Sequence, residues 1–243
     1  MAERKVALIT AASQGMGAAV ARRLAKDGYR LALMSRGEKV EALAKELGAL
    51  HPARDQDVLS FRGSVDNADH LAAFVERTMG AFGRIDAVVA NTGHPPKGDL
   101  LDIDDDAWHA GLDLVFLNVV RLARLVTPPM QSQGGGSIVA ISTFGAIEPS
   151  LAFPVSSALR SALGGFVKLY ADRFGPEKIR LNAVLPGFVD TYEIDDTTRE
   201  RIALRRRATV EEIAGTVAFL LSSDAGAITG QSLLVDGGLT RSI

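Results

Sequence analysis

Short apolar runs alternate with longer segments of helical periodicity along the whole chain. Residues 6–10, 30–35 and 85–90 have the length and apolar composition of buried strands. Between them, residues 15–27 and 70–82 place apolar side chains at helical spacing. Because strands that alternate with helices form a parallel sheet covered on both faces, we predict an α/β fold with a doubly wound, Rossmann-type parallel sheet. The other predicted elements are strands at 59–63, 137–141, 179–185 and 232–235 and helices at 39–47, 108–130, 156–174 and 210–221.

The composition is that of an ordinary globular protein, and it argues against several classes of partner. Of the 243 residues 23% are charged and the formal net charge is −2, so no bulk attraction to nucleic acid or anionic lipid is expected. The sequence contains no cysteine, no signal-peptide pattern and no apolar run long enough to cross a membrane. We therefore expect a single cytoplasmic domain over residues 1–243. Because His51, His70 and His109 do not have metal-ligand spacing, no metal is expected.

A glycine-rich segment lies between the first predicted strand and the first predicted helix. It reads Thr10-Ala-Ala-Ser-Gln-Gly-Met-Gly17. Glycines let the backbone approach a pyrophosphate, and the following helix N-terminus offers free N–H groups and the positive end of its dipole. The segment resembles the Thr-Gly-x-x-x-Gly-x-Gly loop of the short-chain dehydrogenase/reductase family, with Ala11 in place of the first glycine. A tight strand–helix turn without a ligand is the alternative.

Three further segments strengthen this resemblance and follow the family's order over nearly the whole chain. Ala90-Asn-Thr-Gly93 is similar to the family's Asn-Asn-Ala-Gly segment, which packs beside the cofactor. Asn182-Ala-Val-Leu-Pro-Gly187, with Thr191 after it, is similar to the Asn-x-x-x-Pro-Gly-x-x-x-Thr stretch near the nicotinamide. The ending Val235-Asp-Gly-Gly238 also matches. The resemblance implies an oxidoreductase that uses a nicotinamide cofactor on a small-molecule substrate.

The end of the second predicted strand indicates which nicotinamide cofactor is bound. Ser35 and Arg36 stand there, without the carboxylate that binds the ribose 2′-hydroxyl of NAD. Because a guanidinium binds a phosphate through charge-assisted bonds, we expect NADP(H), with NAD(H) less favoured and a solvated Arg36 as the alternative. Ser64 replaces the family's adenine-contacting Asp. The resemblance places around the cofactor Thr10, Ala12, Ser13, Gln14, Gly15, Met16, Gly17, Ser35, Arg36, Ser64, Val65, Asn91, Gly93, Arg160, Pro186, Gly187, Val189 and Thr191.

The side chains of the family's proton transfer are replaced in this chain. In the family a Tyr exchanges the proton, a Lys four residues later tunes its pKa, a Ser thirteen residues earlier positions the carbonyl, and an Asn completes a relay. A gapless alignment over residues 137–166 puts Thr143, Ser156 and Arg160 at the Ser, Tyr and Lys positions; Val115 takes the Asn position. Serine is shorter and far less acidic than tyrosine, and arginine stays protonated. We therefore do not expect the usual mechanism.

Other side chains are candidates for the missing proton transfer. His94 follows the Asn-Thr-Gly turn and can donate a proton near neutral pH, with a surface histidine as the alternative. Tyr192 and Glu148 are weaker candidates, for which packing or exposure at the rim is the alternative. We expect the substrate pocket between the segments 92–98, 143–156 and 187–207. The candidate catalytic residues are Thr143, Ser156, Arg160 and His94.

Three functions stay open on the sequence alone. The first is an atypical NADP(H)-dependent oxidoreductase that acts on a small carbonyl compound or an activated alkene. The second is a catalytically silent, cofactor-binding protein of the same fold that serves as a partner subunit or sensor. The third is non-redox elimination of the dehalogenase kind. The resemblance also implies a homotetramer or homodimer formed through the helices at 108–130 and 156–174.

Overall fold

The computed structural model describes residues 4–50 and 57–242, and these form one parallel sheet with helices on both faces. The strands are β1 (Val6–Ile9), β2 (Arg30–Ser35), β3 (Val58–Arg62), β4 (Ala87–Ala90), β5 (Gly136–Ile141), β6 (Ile179–Pro186) and β7 (Ser232–Val235). The helices are α1 (Gly15–Lys26), α2 (Lys39–Ala49), α3 (Ala68–Phe82), α4 (Asp105–Leu112), α5 (Asn118–Ser132), α6 (Pro154–Phe174), α7 (Asp196–Arg201) and α8 (Val210–Leu221). The strand order is β3-β2-β1-β4-β5-β6-β7. The predicted Rossmann-type fold is confirmed.

The central strands are buried on both faces, and they divide the core into two layers. In β1, Ala7 and Ile9 face the layer under α1, α2 and α8, whereas Val6 and Leu8 face the layer under α3, α5 and α6. Successive strand residues point to opposite faces, so a strand covered on both sides needs an uninterrupted apolar run. This is why β1 and β4 show no alternation of polar and apolar residues. Within the described ranges, no helix is both long and apolar enough to cross a membrane.

The helix predicted at 108–130 is broken by a π-helical turn at Asp113–Leu117, which separates α4 from α5. Its start lies earlier than predicted, because the Asp104 carboxylate accepts a hydrogen bond from the Ala107 N–H and caps α4. The Asn118 side chain donates to the Leu114 carbonyl inside the distorted turn. A π-helical turn holds one residue more than an α-helical turn, and apolar periodicity alone does not predict where this additional residue lies.

The pocket segment predicted at 187–207 contains one short helix, α7. The Asp195 side chain caps it by accepting the Thr198 N–H at 2.7 Å. The segment is also tied to the body of the fold, because the Gly187 N–H donates to the Val235 carbonyl of β7 at 3.2 Å. Its first part therefore has a defined position beside the carboxyl end of β6. That the chain is a single domain stays a prediction.

The close contact between α4 and α6 gives a test of the packing next to the site. A methyl group on Gly111 would come within 2.3 Å of Val155 Cγ1, and Val155 is fully buried. We expect Gly111→Ala to lower the free energy of unfolding by about 1–3 kcal/mol, because overpacking strains a closed core. Urea unfolding followed by circular dichroism measures the change.

Gly80→Ala in α3 is the matched control, since nothing lies within 4 Å of a methyl group there. That substitution should raise the free energy of unfolding by about 0.5–1 kcal/mol through helix propensity. Equal changes in the two variants would contradict the contact with Val155 as the cause.

Candidate functional site

A cleft opens at the carboxyl ends of β1, β4, β5 and β6, the edge of an α/β sheet where ligands bind. Its walls come from the segments that directly follow these strands, together with the start of α6. Part of each predicted pocket segment, 92–98, 143–156 and 187–207, lines it. The predicted site residues that line it are Met16, Asn91, Gly93, His94, Thr143, Ser156, Arg160, Pro186, Gly187, Val189 and Thr191.

The glycine-rich loop keeps its required shape although alanine replaces its first glycine. Ala11 has φ +46° and Gly15 has φ +53°, so both lie in the left-handed region. A methyl group on Gly17 would come within 2.3 Å of the Ala11 carbonyl oxygen, which explains the need for glycine there. Ala11 itself does not line the cleft. Its methyl group therefore strains the loop without closing the site.

Thr10 and Asn91 hold the ends of β1 and β4 together. The Thr10 hydroxyl donates to the Asn91 carbonyl at 2.7 Å and accepts the Asn91 N–H at 2.9 Å. The Asn91 amide donates to the Ala11 carbonyl at 3.3 Å. Thr10 is fully buried, so its side chain shapes the loop rather than facing the cleft.

The tip of β2 offers hydroxyls and a guanidinium without a competing carboxylate. The hydroxyls of Ser13 and Ser35 lie 2.9 Å apart, which joins the glycine-rich loop to the strand tip. Arg36 is exposed and forms no ion pair with any residue in 4–50 or 57–242. The acidic residues that follow, Glu38 and Glu41, both pair with Arg62. This arrangement suits a phosphate better than a ribose hydroxyl.

The remaining residues assigned to the cofactor lie outside the cleft and serve the loop's structure or packing. Ala12 is fully buried, and its N–H donates to the Met34 carbonyl at 3.0 Å. Val65 is buried in the core layer under α3. The Ser64 N–H donates to His70 Nδ1 at 3.2 Å. Gln14 is exposed at the N-cap of α1, where its side chain makes no cap hydrogen bond.

Arg160 places an uncompensated positive charge at the base of the cleft. Its side chain is 7% exposed, and Nη1 donates to the Ile141 carbonyl at 2.6 Å. Its Nε has no hydrogen-bond partner, and no carboxylate among the described residues pairs with it. Burial lowers the pKa of Arg160 to about 10, so the guanidinium is still charged at neutral pH. A buried charge without a counterion favours an anionic or polar ligand beside it.

Several hydroxyls of the cleft have no partner in the protein. Thr92 Oγ1 and Ser142 Oγ are buried without a hydrogen bond, next to the strand ends of β4 and β5. The hydroxyls of Thr143 and Ser156 also lack a partner within the described part of the chain. Buried polar groups are nearly always satisfied by protein, water or a ligand, so these hydroxyls can bind the hydrogen-bonding atoms of a ligand in the cleft. A ribose and a carboxamide have such atoms.

Val115, by contrast, contributes nothing polar. It lies in the π-helical turn and is 1% exposed. The nearby Asn118 is also buried, but its amide donates to Leu114 rather than toward the cleft, and its Oδ1 has no partner. Neither residue lines the cleft.

His94 reaches the cleft, but its chemistry differs from the sequence-based expectation. Burial and the positive charges of Lys97 and Arg160 lower the pKa of His94 below its ordinary value of 6.5. The imidazole is therefore neutral at pH 7 and a poor proton donor there. Tyr192 lines the cleft and is 41% exposed. Glu148 does not line it, because its carboxylate accepts the N–H groups of Arg241 and Ser242 near the chain end.

The Pro-Gly loop and the Val235–Gly238 segment pack against each other next to the cleft. A methyl group on Gly187 would come within 2.8 Å of Asp236 Cα, so the Pro-Gly loop needs glycine to pack against this segment. The Asp236 carboxylate accepts the N–H groups of Gly238 at 2.9 Å and Thr240 at 2.8 Å. These bonds fix the segment on which the 187–192 loop rests.

An aromatic wall is the part of the site that the sequence did not indicate. The rings of Phe144 and Phe188 lie 5.5 Å apart, and those of Phe188 and Tyr192 lie 6.2 Å apart. Lys97 Nζ lies 4.7 Å from the ring centroid of Phe153 and 5.8 Å from that of Tyr192. Lys97 lies within the predicted pocket segment 92–98, and its position over these rings depends on contacts between loops, which a local sequence pattern does not contain.

No group of His, Asp or Glu residues in the described ranges is arranged to hold a metal ion. His70 accepts the Ser64 N–H, and His109 lies in α4. His51 lies outside the described residues.

The chain is similar in sequence to known reductases. Residues 10–240 match the family described as enoyl-(acyl carrier protein) reductase. Dehydrogenase/reductase SDR family member 4 from Homo sapiens is 33% identical over 247 residues, which cover 96% of this chain and 87% of that protein. Tropinone reductase-like 3 from Erythroxylum coca is 32% identical over 251 residues, with coverage of 97% and 93%.

Solved structures are similar over the same length. L-sorbose reductase from Gluconobacter frateurii, complexed with NADPH and L-sorbose, has a TM-score of 0.91 and 28% identity, covering 99% of this chain and 98% of that chain. YwfH, an NADPH-dependent reductase involved in bacilysin biosynthesis, has a TM-score of 0.94 at 24% identity, covering 99% and 100%. At that identity the second likeness concerns the fold alone.

The left-handed conformation of Ala11 gives a test of the glycine-rich loop. A Cβ in this region costs about 1–2 kcal/mol, and glycine adds about 0.5–1 kcal/mol of backbone entropy to the unfolded chain. We therefore expect Ala11→Gly to raise the free energy of unfolding by about 0.5–1 kcal/mol, measured by urea unfolding.

Ala12→Gly is the control, since Ala12 is fully buried and its φ is not positive. That variant should be less stable by about 1 kcal/mol. A loss of stability in both variants would show that the Ala11 methyl group makes contacts worth more than its strain.

Proposed function

Because the chain belongs to the short-chain dehydrogenase/reductase family, we propose that it is an NADP(H)-dependent oxidoreductase without the family's Tyr–Lys pair. Its substrate is an activated alkene or a small carbonyl compound. The observation that carries the proposal is the cleft itself, which keeps a buried, unpaired guanidinium on Arg160 and several hydroxyls without protein partners. Ser156 and Arg160 stand where the family has tyrosine and lysine.

The residues present fit NADP(H). Ser13, Ser35 and Arg36 would hold the 2′-phosphate, since they join a guanidinium and two hydroxyls at one strand tip. The glycine-rich loop and the N-terminus of α1 would hold the pyrophosphate. Asn91 and Arg160 would face the nicotinamide ribose. The L-sorbose reductase that this chain resembles is complexed with NADPH, which supports the same choice here.

When bound, NADPH supplies a hydride to the substrate carbon. Arg160 contributes a fixed positive charge that stabilises negative charge developing on the substrate oxygen. The free hydroxyls of Thr143 and Ser156 can donate hydrogen bonds to that oxygen. His94 is neutral at pH 7, and Tyr192, which also lines the cleft, is 41% exposed. We propose that the proton comes from water.

This arrangement favours an activated alkene over a ketone. Hydride addition to a conjugated alkene gives an enolate, whose oxygen is a weaker base than the oxygen of the alkoxide formed from a ketone, because an enol is a stronger acid than an alcohol. An enolate stabilised by Arg160 can form before it is protonated by water. An alkoxide requires a proton donor positioned next to its oxygen as it forms. The elimination reaction has no supporting observation, since no carboxylate or neutral lysine lines the cleft.

We also propose that copies of this cytoplasmic protein associate through α5 and α6, as a homotetramer or homodimer. Val120 and Pro128 of α5 form an open groove with Phe166 and Tyr170 of α6. Leu169, on the same helix, is 70% exposed. Exposed apolar surface on adjacent helices is typical of a symmetric protein interface.

The cofactor preference tests the proposal directly. We expect calorimetry to show that NADPH binds more tightly than NADH. Arg36→Gln should weaken NADPH binding about tenfold or more and leave NADH binding unchanged, since it removes a charge-assisted contact to the 2′-phosphate. Arg77→Gln, on the exposed face of α3, is the control and should bind both like the parent protein. Failure of the parent protein to bind NADPH would contradict the proposed function, and binding without oxidation by any enone or ketone would favour the silent cofactor-binding protein.

Restoring the family's side chains tests the mechanism. The double variant Ser156→Tyr with Arg160→Lys should reduce a simple ketone about tenfold faster than the parent protein. The expected gain lies below the 10²–10⁴ of full acid catalysis because Val115 still leaves the relay incomplete. Steady-state NADPH oxidation measures both rates.

Arg160→Lys alone is the control, since it restores the family's lysine without its tyrosine. Folding of each variant is checked by thermal unfolding. An unchanged ketone rate in a folded, NADPH-binding double variant would argue that these positions do not face the reacting oxygen.

A further inference from the structure

The charged side chains that line the cleft or lie against its rings are positive. Among the described residues, those that line it include Arg160 and neutral His94, and none of them is an aspartate or glutamate. Lys97 stands at the mouth, with its ammonium group against two of the rings that line the cleft. Within the described ranges Lys97 forms no ion pair.

The acidic residues closest to the cleft in sequence do not offset these charges. The Glu148 carboxylate accepts the N–H groups of Arg241 and Ser242. Glu193 pairs with Arg207 at 3.4 Å. Asp190 is exposed and does not line the cleft. Asp99, two residues after Lys97, is also exposed, and no carboxylate of the described residues forms an ion pair with Lys97 or Arg160.

The two cations have different tasks. Arg160 is buried at the base, against the strand ends, where the proposed cofactor's nicotinamide ribose would lie. Lys97 is exposed at the mouth and is held over the rings of Phe153 and Tyr192. A lysine side chain this close to two rings loses part of its freedom before a ligand arrives, which lowers the entropic cost of binding.

We propose that the substrate carries a carboxylate that pairs with Lys97, and a planar unsaturated part that packs on the Phe144, Phe153, Phe188 and Tyr192 rings. This inference rests on the proposed function and specifies its substrate class. A single ammonium group between rings matches a singly charged, partly apolar anion. A phosphate dianion would need more donors than this mouth offers.

Paired probes that differ only in charge test the inference. The saturated acid 3-benzoylpropionate and its methyl ester are titrated into the protein by calorimetry, with and without NADPH. The unsaturated acid 3-benzoylacrylate and its methyl ester are compared as substrates by NADPH oxidation. The ester is intrinsically the better hydride acceptor, so a preference for the acid must come from the protein.

We expect the acid to bind at least tenfold more tightly than the ester. Lys97→Met should weaken binding of the acid about tenfold, leave binding of the ester unchanged, and raise the KM for 3-benzoylacrylate more than it changes kcat. Lys97→Arg should restore binding to within threefold of the parent protein. Lys45→Met, an exposed lysine of α2 without a described partner, is the control for net charge and should behave like the parent.

Equal binding of acid and ester, absence of binding by both, or an unchanged Lys97→Met variant each overturns the inference. Tighter binding of phenyl phosphate than of the acid overturns the assignment to a carboxylate. Because the saturated acid binds without any hydride transfer, this result is separate from the proposed function. Acid-selective binding without turnover of any enone or ketone would overturn the oxidoreductase and support the anion site. Turnover without acid preference would support the oxidoreductase and overturn the anion site.

Discussion

The joint between the ends of β1 and β4 is the constraint on which the site depends. Strands on either side of this joint continue the sheet in opposite directions, so their following loops diverge and leave a crevice. Thr10 and Asn91 fix its width through paired hydrogen bonds at 2.7 and 2.9 Å, and Gly17 allows the Ala11 carbonyl to approach. The glycine-rich loop and the Asn-Thr-Gly turn take their positions from this joint.

The second constraint is the desolvated charge of Arg160. A buried cation with one hydrogen bond to a carbonyl and an unpartnered Nε lowers the stability of the ligand-free protein. Such a cost is tolerated where a ligand relieves it, which is the usual relation between strain and function in a folded protein. The buried hydroxyls of Thr92 and Ser142 also lack hydrogen-bond partners in the protein, and they add to the cost that a ligand relieves.

The sequence predicts the layers of the fold because buried parallel strands and amphipathic helices have distinct periods. It also predicts the residues of the glycine-rich loop and the Pro-Gly loop, where glycine is required by close backbone approach. Local patterns do not contain the direction of a loop side chain. Glu148 turns toward backbone groups 93 residues away, and Phe144 meets Phe188 across two loops. The position of Lys97 over the Phe153 ring depends on a neighbour that is distant in sequence. The lowered pKa of His94 likewise depends on burial and in part on the distant Arg160, besides the nearby Lys97.

The π-helical turn at Asp113–Leu117 has a consequence for how the chain tolerates length changes. A π turn holds one residue more than an α turn, so the side chains before and after it are rotated by about 100° relative to a continuous helix. Gly111 can therefore meet Val155 while Val119 and Leu122 stay in the core. The inserted residue therefore lets α4 and α5 direct their apolar faces at different angles, which one continuous α-helix could not do. Deletion of that residue would leave α4 and α5 helical, but it would rotate the apolar face of one of them away from the residues it packs against.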